Sequence, residues 1–325
     1  MQKRQRGQLQ LRLFIFFALC AMVWTPMTQA QSYPNKPIRL VIPFPPGGSN
    51  DVVGRMFGAQ LSERLGQQVV AENRGGAGSI IGTEAAAKSA PDGYTLLLAS
   101  IAYAFAPAMY KTVPYDPVKA FVPVGIIGSG PVVLVVHPSI PANSVKELID
   151  LARKKPGELR LASAGIGSFQ HLAGELFRLQ SNIKWLHIPY KGGGPAMADV
   201  AGGHADVMMS SLIQTTPQIR GGRLLALGVS GLKRSAALPE TPTIAEAAVP
   251  GYDATNWWGV LAPTGTPQPI VDRLYKDISV IVGSAETKKR LEAEGAEAVQ
   301  MTPAEFGKFI LAESVKWSRV VKEAG

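Results

Sequence analysis

The chain has 325 residues, of which 46% are hydrophobic and 18% are charged, and its formal net charge is +9 at pH 7. This balance is that of a folded globular protein and excludes a disordered chain, while the length favours two domains over one. No run of Lys and Arg and no basic–aromatic stripe accompanies the positive charge, so we predict no nucleic-acid partner.

The first 30 residues are typical of a cleaved secretory signal. Four basic residues begin it, and the apolar run LFIFFALCAMVW (13–24) is short for a membrane span. Small residues in TQA (28–30) predict a cut after Ala30. A membrane anchor is the competing interpretation, and Leu19 argues against lipid attachment at Cys20. We therefore expect an exported protein whose mature chain carries about +5 (29 basic and 24 acidic residues).

The mature chain would contain no cysteine, because the single cysteine lies in the leader. This excludes disulfides, thiol catalysis, zinc–cysteine sites and iron–sulfur clusters. The four histidines lack metal-ligand spacing, and GGAGSIIG (75–82) is an incomplete dinucleotide fingerprint. We predict neither a metal nor a cofactor.

Short apolar runs alternate with helical patterns along the rest of the chain. The runs are continuously apolar, which is typical of strands covered by helices on both faces, so we predict an α/β fold with mostly parallel sheets. The predicted strands are residues 38–44, 67–73, 94–100, 132–138, 159–165, 185–190, 205–211 and 224–230. Capping patterns mark helix starts at Ser144 with Glu147, Thr243 with Glu246, and Thr302 with Glu305.

The run at 132–138 and the stretch GYDATNWWGVLAP (251–263) bracket a self-contained α/β block. A chain that leaves one domain, builds a second and returns forms two lobes. We predict lobe 1 from residues 31–131 and 254–325 and lobe 2 from residues 132–253. The ligand cleft would lie between them, at strand carboxyl ends. The tryptophan pair in that stretch is expected to pack at the crossover and not to stack on a ligand.

The loop PFPPGGSND (43–51) joins the first predicted strand to an amphipathic helix. Its prolines extend the backbone, and its glycines permit a close approach to a ligand. A helix N-terminus offers unpaired N–H groups and a partial positive charge, so the loop is a candidate carboxylate cradle. A plain strand-to-helix turn is the competing interpretation. The predicted ligand-binding residues here are Phe44, Pro46, Gly47, Gly48, Ser49 and Asp51.

The loop SAGIGSFQH (163–171) repeats this arrangement between a strand and a helix with a clear apolar stripe. A secreted serine hydrolase using Ser168 and His171 is a competing hypothesis, although Gly-x-Ser-x-Gly is absent and no orienting acid is evident. His171 is equally well explained as a hydrogen-bonding histidine. The predicted ligand-binding residues of this loop are Ala164, Gly165, Gly167, Ser168 and His171.

Three further residues are candidates for the cavity wall. Ser100 ends a predicted strand, and Tyr190 precedes a third glycine cluster, KGGGP. Asp206 begins the next strand. Tyr190 is equally well explained by packing under its loop, and Asp206 by a turn cap.

These motifs resemble the tripartite tricarboxylate transporter substrate receptors, the Bug family of extracytoplasmic solute receptors. The resemblance runs from residue 33 nearly to the C-terminus, in matching order and spacing. The stretches that carry it are PFPPGGSND, ENRGGAGSIIGTEAAAKSAPDGYTLLLAS, VPYDPVKAFVPV, SAGIGSFQHLAGELF, HIPYKGGGPAMADVAGGHADVMM, RLLALGVSG and LPETPTIAEA.

The resemblance implies a periplasmic, two-lobed binding-protein fold of the type II-like class, without catalysis. It implies that loops 43–51 and 163–171 form a pincer on a small organic acid, which a monomeric receptor delivers to membrane transporter subunits. A ligand-sensing accessory to a signalling protein would share the pocket. The stretch SIAYAFAP is more apolar than is common in the family, which favours an uncharged or aromatic distal ligand group unless Tyr103 and Phe105 are simply core.

Overall fold

The protein is built around a mixed β-sheet with helices between its strands. The computed structural model describes residues 33–293 and 295–324. The predicted leader, residues 1–30, lies outside the described residues. The fold described here is the unit that begins at Lys36. Its strands are β1 (Ile38–Ile42), β2 (Val69–Asn73), β3 (Thr95–Ser100), β4 (Phe121–Val136), β5 (Arg160–Ser163), β6 (Leu186–Pro189), β7 (Val207–Ser211), β8 (Leu225–Val229), β9 (Thr255–Pro263) and β10 (Glu297–Ala298).

The sheet has the order β2-β1-β3-β9-β4-β7-β5-β6, and β8 and β10 also pair with β4. Parallel pairing joins β1 to β2 and β3, and joins β5 to β6 and β7. The central strands β4 and β9 run antiparallel to each other and to their neighbours β3 and β7. The α/β prediction is confirmed, but the sheet is parallel only in its outer parts.

Strand β4 passes through both parts of the sheet. Residues 121–131 pair with β9, whereas residues 132–136 pair with β7 and β8. The sequence predicted only the second part of this strand, and it did not predict β9. The predicted lobe boundary at residues 131 and 132 falls at this change of partner and remains a prediction.

Helices alternate with the strands along most of the chain, and a 3₁₀ turn spans Ala77–Ser79. The α-helices are α1 (Ser49–Leu65), α2 (Ile80–Ala87), α3 (Ile101–Met109), α4 (Val145–Lys154), α5 (Phe169–Ser181), α6 (Gly193–Ala201), α7 (Leu212–Arg220), α8 (Ile244–Ala247), α9 (Gln268–Gly283), α10 (Ala285–Ala293) and α11 (Pro303–Ala324). In residues 33–293 and 295–324, no helix has the length and apolar character needed to cross a membrane.

The three predicted capping patterns are confirmed. The hydroxyl of Ser144 accepts from the backbone N–H of Glu147, three residues along the chain. The same bond forms from Glu246 to Thr243 and from Glu305 to Thr302. Each cap satisfies one of the N–H groups that a helix start leaves unpaired.

The tryptophan pair of β9 is buried, and its predicted place at a crossover between lobes remains a prediction. Trp257 and Trp258 are 1% and 0% exposed, on opposite faces of the strand. Trp257 packs edge-on against Phe306 and Phe309 of α11. Trp258 lies on the same face as Asn256, two residues earlier.

Candidate functional site

A partly enclosed cavity lies where the carboxyl ends of the parallel strands meet the central strands. Its enclosed part measures about 40 Å³, which is room for roughly three water molecules or one carboxylate group. The lining residues come from the starts of five helices, from the loops before α1 and α5, and from β4 and β9. They are Phe44, Pro45, Gly48, Ser49, Asn50, Ser100, Ala102, Val132, Ala164, Phe169, Gln170, Gly192, Gly193, Ser211 and Asn256.

The lining of the cavity contains no charged side chain. Helices α1, α3, α5, α6 and α7 all begin at its wall. The N-terminus of each helix carries roughly half a positive charge. This arrangement suits an anion and requires no arginine.

Backbone donors at three of these helix starts are available to a ligand. In the described part of the chain, no hydrogen bond uses the N–H of Ser49 or Asn50 in α1. The same holds for Phe169 and Gln170 in α5 and for Gly193 in α6. These N–H groups therefore remain as donors around one small volume.

An ionic network behind the first loop holds it in place. The N–H of Gly47 donates to Oδ2 of Asp51 (3.1 Å), and Asn73 donates from Nδ2 both to Oδ1 of Asp51 (2.9 Å) and to the carbonyl of Phe44 (3.1 Å). Arg55 completes the network by donating to Oδ1 of Asp51 (2.8 Å). Burial alone would raise the pKa of Asp51, but these bonds and the Arg55 charge together lower it. Asp51 therefore binds its own loop, which corrects the expectation that it faces the ligand.

Two predicted residues of the first loop, Pro46 and Gly47, lie outside the cavity lining. Gly47 has φ +86°, a left-handed conformation that favours glycine. Pro46 is exposed, whereas Phe44, Gly48 and Ser49 are within the lining.

The second loop is held by uncharged groups. The N–H of Gly167 donates to Nδ1 of His171 (3.4 Å), and the hydroxyl of Ser168 accepts from the N–H of His171 (3.3 Å). The N–H of Gly165 donates to the hydroxyl of Ser163 (3.1 Å). Four predicted residues, Gly165, Gly167, Ser168 and His171, thus shape the loop from outside the lining, and Ala164 lines the cavity.

Two stacked histidines support this second loop. The rings of His171 and His187 lie 4.0 Å apart at an interplanar angle of 16°. His187 is also hydrogen-bonded through Nε2 to the hydroxyl of Ser163 (2.6 Å). Burial, and then the neighbouring His171, lowers the pKa of His187 to about 4. Burial likewise lowers the pKa of His171, so both rings are neutral near pH 7.

Of the three other candidate wall residues, the structure brings only Ser100 to the cavity. The hydroxyl of Tyr190 donates to Asp199 (2.7 Å), in agreement with packing under the loop. Asp206 forms an ion pair with Arg160 (2.6 Å) at the amino end of β7. Ser211 marks the cavity end of that strand, so Asp206 lies roughly 15 Å away, which corrects its assignment to the wall.

The apolar stretch after Ser100 belongs to the core. The hydroxyl of Tyr103 donates to the carbonyl of Pro117 (2.7 Å), and its ring packs against Tyr115 and Phe121. Phe105 is fully buried. The alternative that these rings are core side chains is therefore correct, and the argument against a second ligand carboxylate loses its basis.

Sequence reasoning missed Gly192 and Gly193, although the third glycine cluster repeats the strand–glycine–helix pattern of the other two loops. It also missed Asn256 because β9 was not predicted, and Val132 and Ser211 because their wall positions depend on tertiary pairing. In the described residues, no group of three or more His, Cys, Asp or Glu side chains could hold a metal ion.

The Ser168 and His171 side chains do not form a catalytic pair. The imidazole Nδ1 is engaged by Gly167, and the Ser168 hydroxyl bonds the backbone of His171, not its ring. A general base must lie within hydrogen-bond reach of the proton it removes. This geometry does not support the hydrolase hypothesis.

Residues 53–325 match the family model described as tripartite tricarboxylate transporter family receptor. The chain is 40% identical over 298 residues to Protein BugT of Bordetella pertussis, with 91% of each chain covered. It is similar to a solved structure titled R. palustris Rpa4515 with adipate, with a TM-score of 0.88, 36% identity, and coverage of 90% of this chain and 98% of that one. It is also similar to the periplasmic binding protein BugD, with a TM-score of 0.86, 36% identity, and coverage of 90% and 99%.

Proposed function

The chain belongs to the tripartite tricarboxylate transporter receptor family, and on this premise we propose that it holds the carboxylate of a small organic acid in the cavity described above. Membership confirms the predicted periplasmic-binding-protein fold and the role of a solute-binding receptor. Members of this family are receptors and not enzymes, so the serine hydrolase alternative is wrong.

The observation that supports this proposal most strongly is the set of free N–H groups at the starts of α1, α5 and α6 around one uncharged cavity. Each hydrogen bond to a charged group contributes about 1.5–3 kcal/mol. A few such bonds reach the roughly −8 kcal/mol of micromolar affinity.

We propose a small dicarboxylate as the ligand class. The solved structure titled R. palustris Rpa4515 is described with adipate, and it is 36% identical to this chain. Tyr103 and Phe105 lie in the core and not in the cavity wall. They therefore no longer favour an uncharged or aromatic distal ligand group. The ligand would place one carboxylate in the cavity, among the N–H groups at the starts of α1, α5 and α6.

We further propose that lobe 1 (31–131 and 254–325) and lobe 2 (132–253) close on the ligand. A Cβ placed on Gly192 would lie 3.5 Å from Cγ of Pro45, so the two predicted lobes already approach each other at the cavity. Contacts available only in the closed form would shift the population toward it. The closed monomer, exported after cleavage near Ala30, would then deliver the acid to membrane transporter subunits.

A thermal-shift and calorimetry screen with adipate, malate, succinate and benzoate tests the proposal. A ligand at a hundredfold excess over Kd stabilises the folded chain by about 2.7 kcal/mol. We expect at least one dicarboxylate to produce such a shift. No shift with any acid would contradict the proposed function.

The variant Gly48→Val shows whether this cavity is the binding site. A Cβ at Gly48 meets nothing within 4 Å, and the backbone has an ordinary φ of −91°. The fold should lose no more than about 1 kcal/mol, while the side chain fills the cavity and weakens binding at least a hundredfold. Ala59→Val, at an exposed position of the same helix, is the control. Unchanged affinity in Gly48→Val would place the site elsewhere.

A further inference from the structure

Three carboxamide side chains lie in the cavity wall: Asn50 at the start of α1, Gln170 in the first turn of α5, and Asn256 in β9. A carboxamide can present either a donor (Nδ2) or an acceptor (Oδ1) to a ligand, depending on how its terminal group is turned. The hydrogen-bond partner on the side away from the cavity therefore decides whether the donor or the acceptor of the carboxamide faces the ligand.

Two of these carboxamides, those of Asn50 and Asn256, are fixed by groups that can only donate. The indole Nε1 of Trp258 donates to Oδ1 of Asn50 (2.8 Å), and the backbone N–H of Ile101 donates to Oδ1 of Asn256 (3.4 Å). An indole N–H and a peptide N–H have no acceptor atom. Turning either carboxamide over would set two donors against each other, so the bonding pattern determines the orientation.

The Nδ2 groups are left for the ligand. Among residues 33–293 and 295–324, neither Nδ2 has a hydrogen-bond partner. They add two amide donors to the free backbone N–H groups of Ser49 and Phe169, on the same small volume. The hydroxyls of Ser49, Ser100 and Ser211 and the carboxamide of Gln170 can act in either sense there.

We infer that Trp258 is a positioning residue for ligand recognition: its indole N–H holds Asn50 with Nδ2 toward the cavity, and so makes the site discriminate a carboxylate from the carboxamide of the same shape. This inference rests on the proposed function. A carboxylate only accepts hydrogen bonds. A carboxamide ligand would turn its own NH₂ group toward donors of the wall, and donor facing donor is unfavourable. Fixed donors thus select the charged acid.

The chain offers a matched pair of variants. Trp258→Phe removes the N–H that holds Asn50, and Trp257→Phe removes a buried indole N–H that has no partner in the described residues. The two residues are adjacent, and both are at most 1% exposed. Both variants therefore lose the volume of a buried indole. Only Trp258→Phe also loses the hydrogen bond that orients the Asn50 carboxamide.

The measurement is the affinity ratio between an acid and its primary amide, by calorimetry on the full mature chain. The probes are adipate and adipamide, or the tightest-binding acid of the screen and its amide. We expect the wild type and Trp257→Phe to prefer the acid at least tenfold, and Trp258→Phe to reduce that preference by about three- to tenfold. A merely structural role would weaken both probes alike and leave the ratio unchanged.

A double-mutant cycle tests whether Trp258 acts through Asn50. In an Asn50→Ala background, Trp258→Phe should no longer change the ratio. If Trp258→Phe fails to fold, Asn50→Asp gives the same readout, because it keeps an acceptor for the indole and replaces the ligand-facing donor by an acceptor. Asn50→Asp should then favour the amide.

An unchanged ratio in Trp258→Phe, or in Asn50→Asp, would overturn the positioning role while carboxylate binding by the wild type still stands. Absence of binding by every acid would instead contradict the proposed function itself. The two failures are therefore distinguishable.

Discussion

The first and second ligand loops share one design, a strand followed by glycines and a helix start, but differ in what supports them. Behind the first loop, the ionised carboxylate of Asp51 collects donors from Gly47, Asn73 and Arg55. Behind the second, two neutral imidazoles and a serine do the same task. Two loops of the same shape are thus stabilised in one case by a charged carboxylate and in the other by neutral side chains. We therefore expect the two loops to respond differently to mutation and to pH.

The largest effect is expected from breaking the ionic support. Asp51→Ala removes the acceptor of the Gly47 N–H and one of the two acceptors of Asn73 Nδ2, and each lost hydrogen bond to a charged group costs about 1.5–3 kcal/mol. We expect affinity for the acid to fall about a hundredfold and the free energy of unfolding to fall by about 2–4 kcal/mol, by calorimetry and urea unfolding. Asp116→Ala is the control, since this exposed carboxylate bonds only Val118 and Lys119 among the described residues. Wild-type affinity in Asp51→Ala would refute the network's role.

An intermediate effect is expected from lowering the pH, through the histidines that support the second loop. The folded pKa of His187, about 4, lies below the ordinary value of 6.5, so the unfolded chain binds the proton more readily. Its stabilising contribution is complete above pH 6.5 and is lost as the pH falls toward 4. We expect a loss on the order of 2 kcal/mol, reduced from the full shift because the ring is partly exposed.

Unfolding curves between pH 7 and 3 separate the two supports. His187→Gln should flatten the decline between pH 6.5 and 4, whereas His204→Gln, at an exposed turn, should not. The lowered pKa of Asp51 lies below 3.8, so its contribution persists above that value and is lost only at lower pH. A His187→Gln curve that superimposes on the wild type would show that the histidine pair contributes no pH dependence.

The smallest effect is expected at Ser168. Its hydroxyl caps α5 by accepting from the N–H of His171, and loss of such a cap costs about 1 kcal/mol. Ser168→Ala should lower stability by that amount and change affinity by no more than about threefold. Ser144→Ala, which removes the matching cap of α4, should cost the same stability without any change in affinity. Abolished binding in Ser168→Ala alone would mean that its hydroxyl contacts the ligand.

Local pattern predicted the strand–glycine–helix loops and Ser100, because glycines, prolines and helix starts are visible in the sequence itself. The central strands were harder to predict. Pro123, Gly125 and Gly128 interrupt the apolar pattern of β4, and register shifts accompany them. With β9 unrecognised, Asn256 could not be placed.

The misassigned side chains share one cause. Asp51, Tyr190 and Asp206 carry functional groups of the kinds that bind ligands, but each is paired with a polar group of this chain. Those pairings come from tertiary neighbours, such as Arg160 beside Asp206, that no local pattern reveals. Most of the groups that we propose to face the ligand are backbone N–H groups, which every residue but proline possesses, so residue type alone cannot mark them.

The main-chain N–H groups that we propose as ligand donors do not change when a side chain is shortened. Replacing Phe169 or Gln170 by alanine trims the side chain and leaves the peptide N–H where it was. A systematic alanine scan would therefore report these contacts as dispensable, and only substitutions that fill the space or strain the backbone would expose them. For the same reason, many residues around these N–H groups can be replaced without loss of carboxylate binding. The surrounding side chains can then change to suit other ligands.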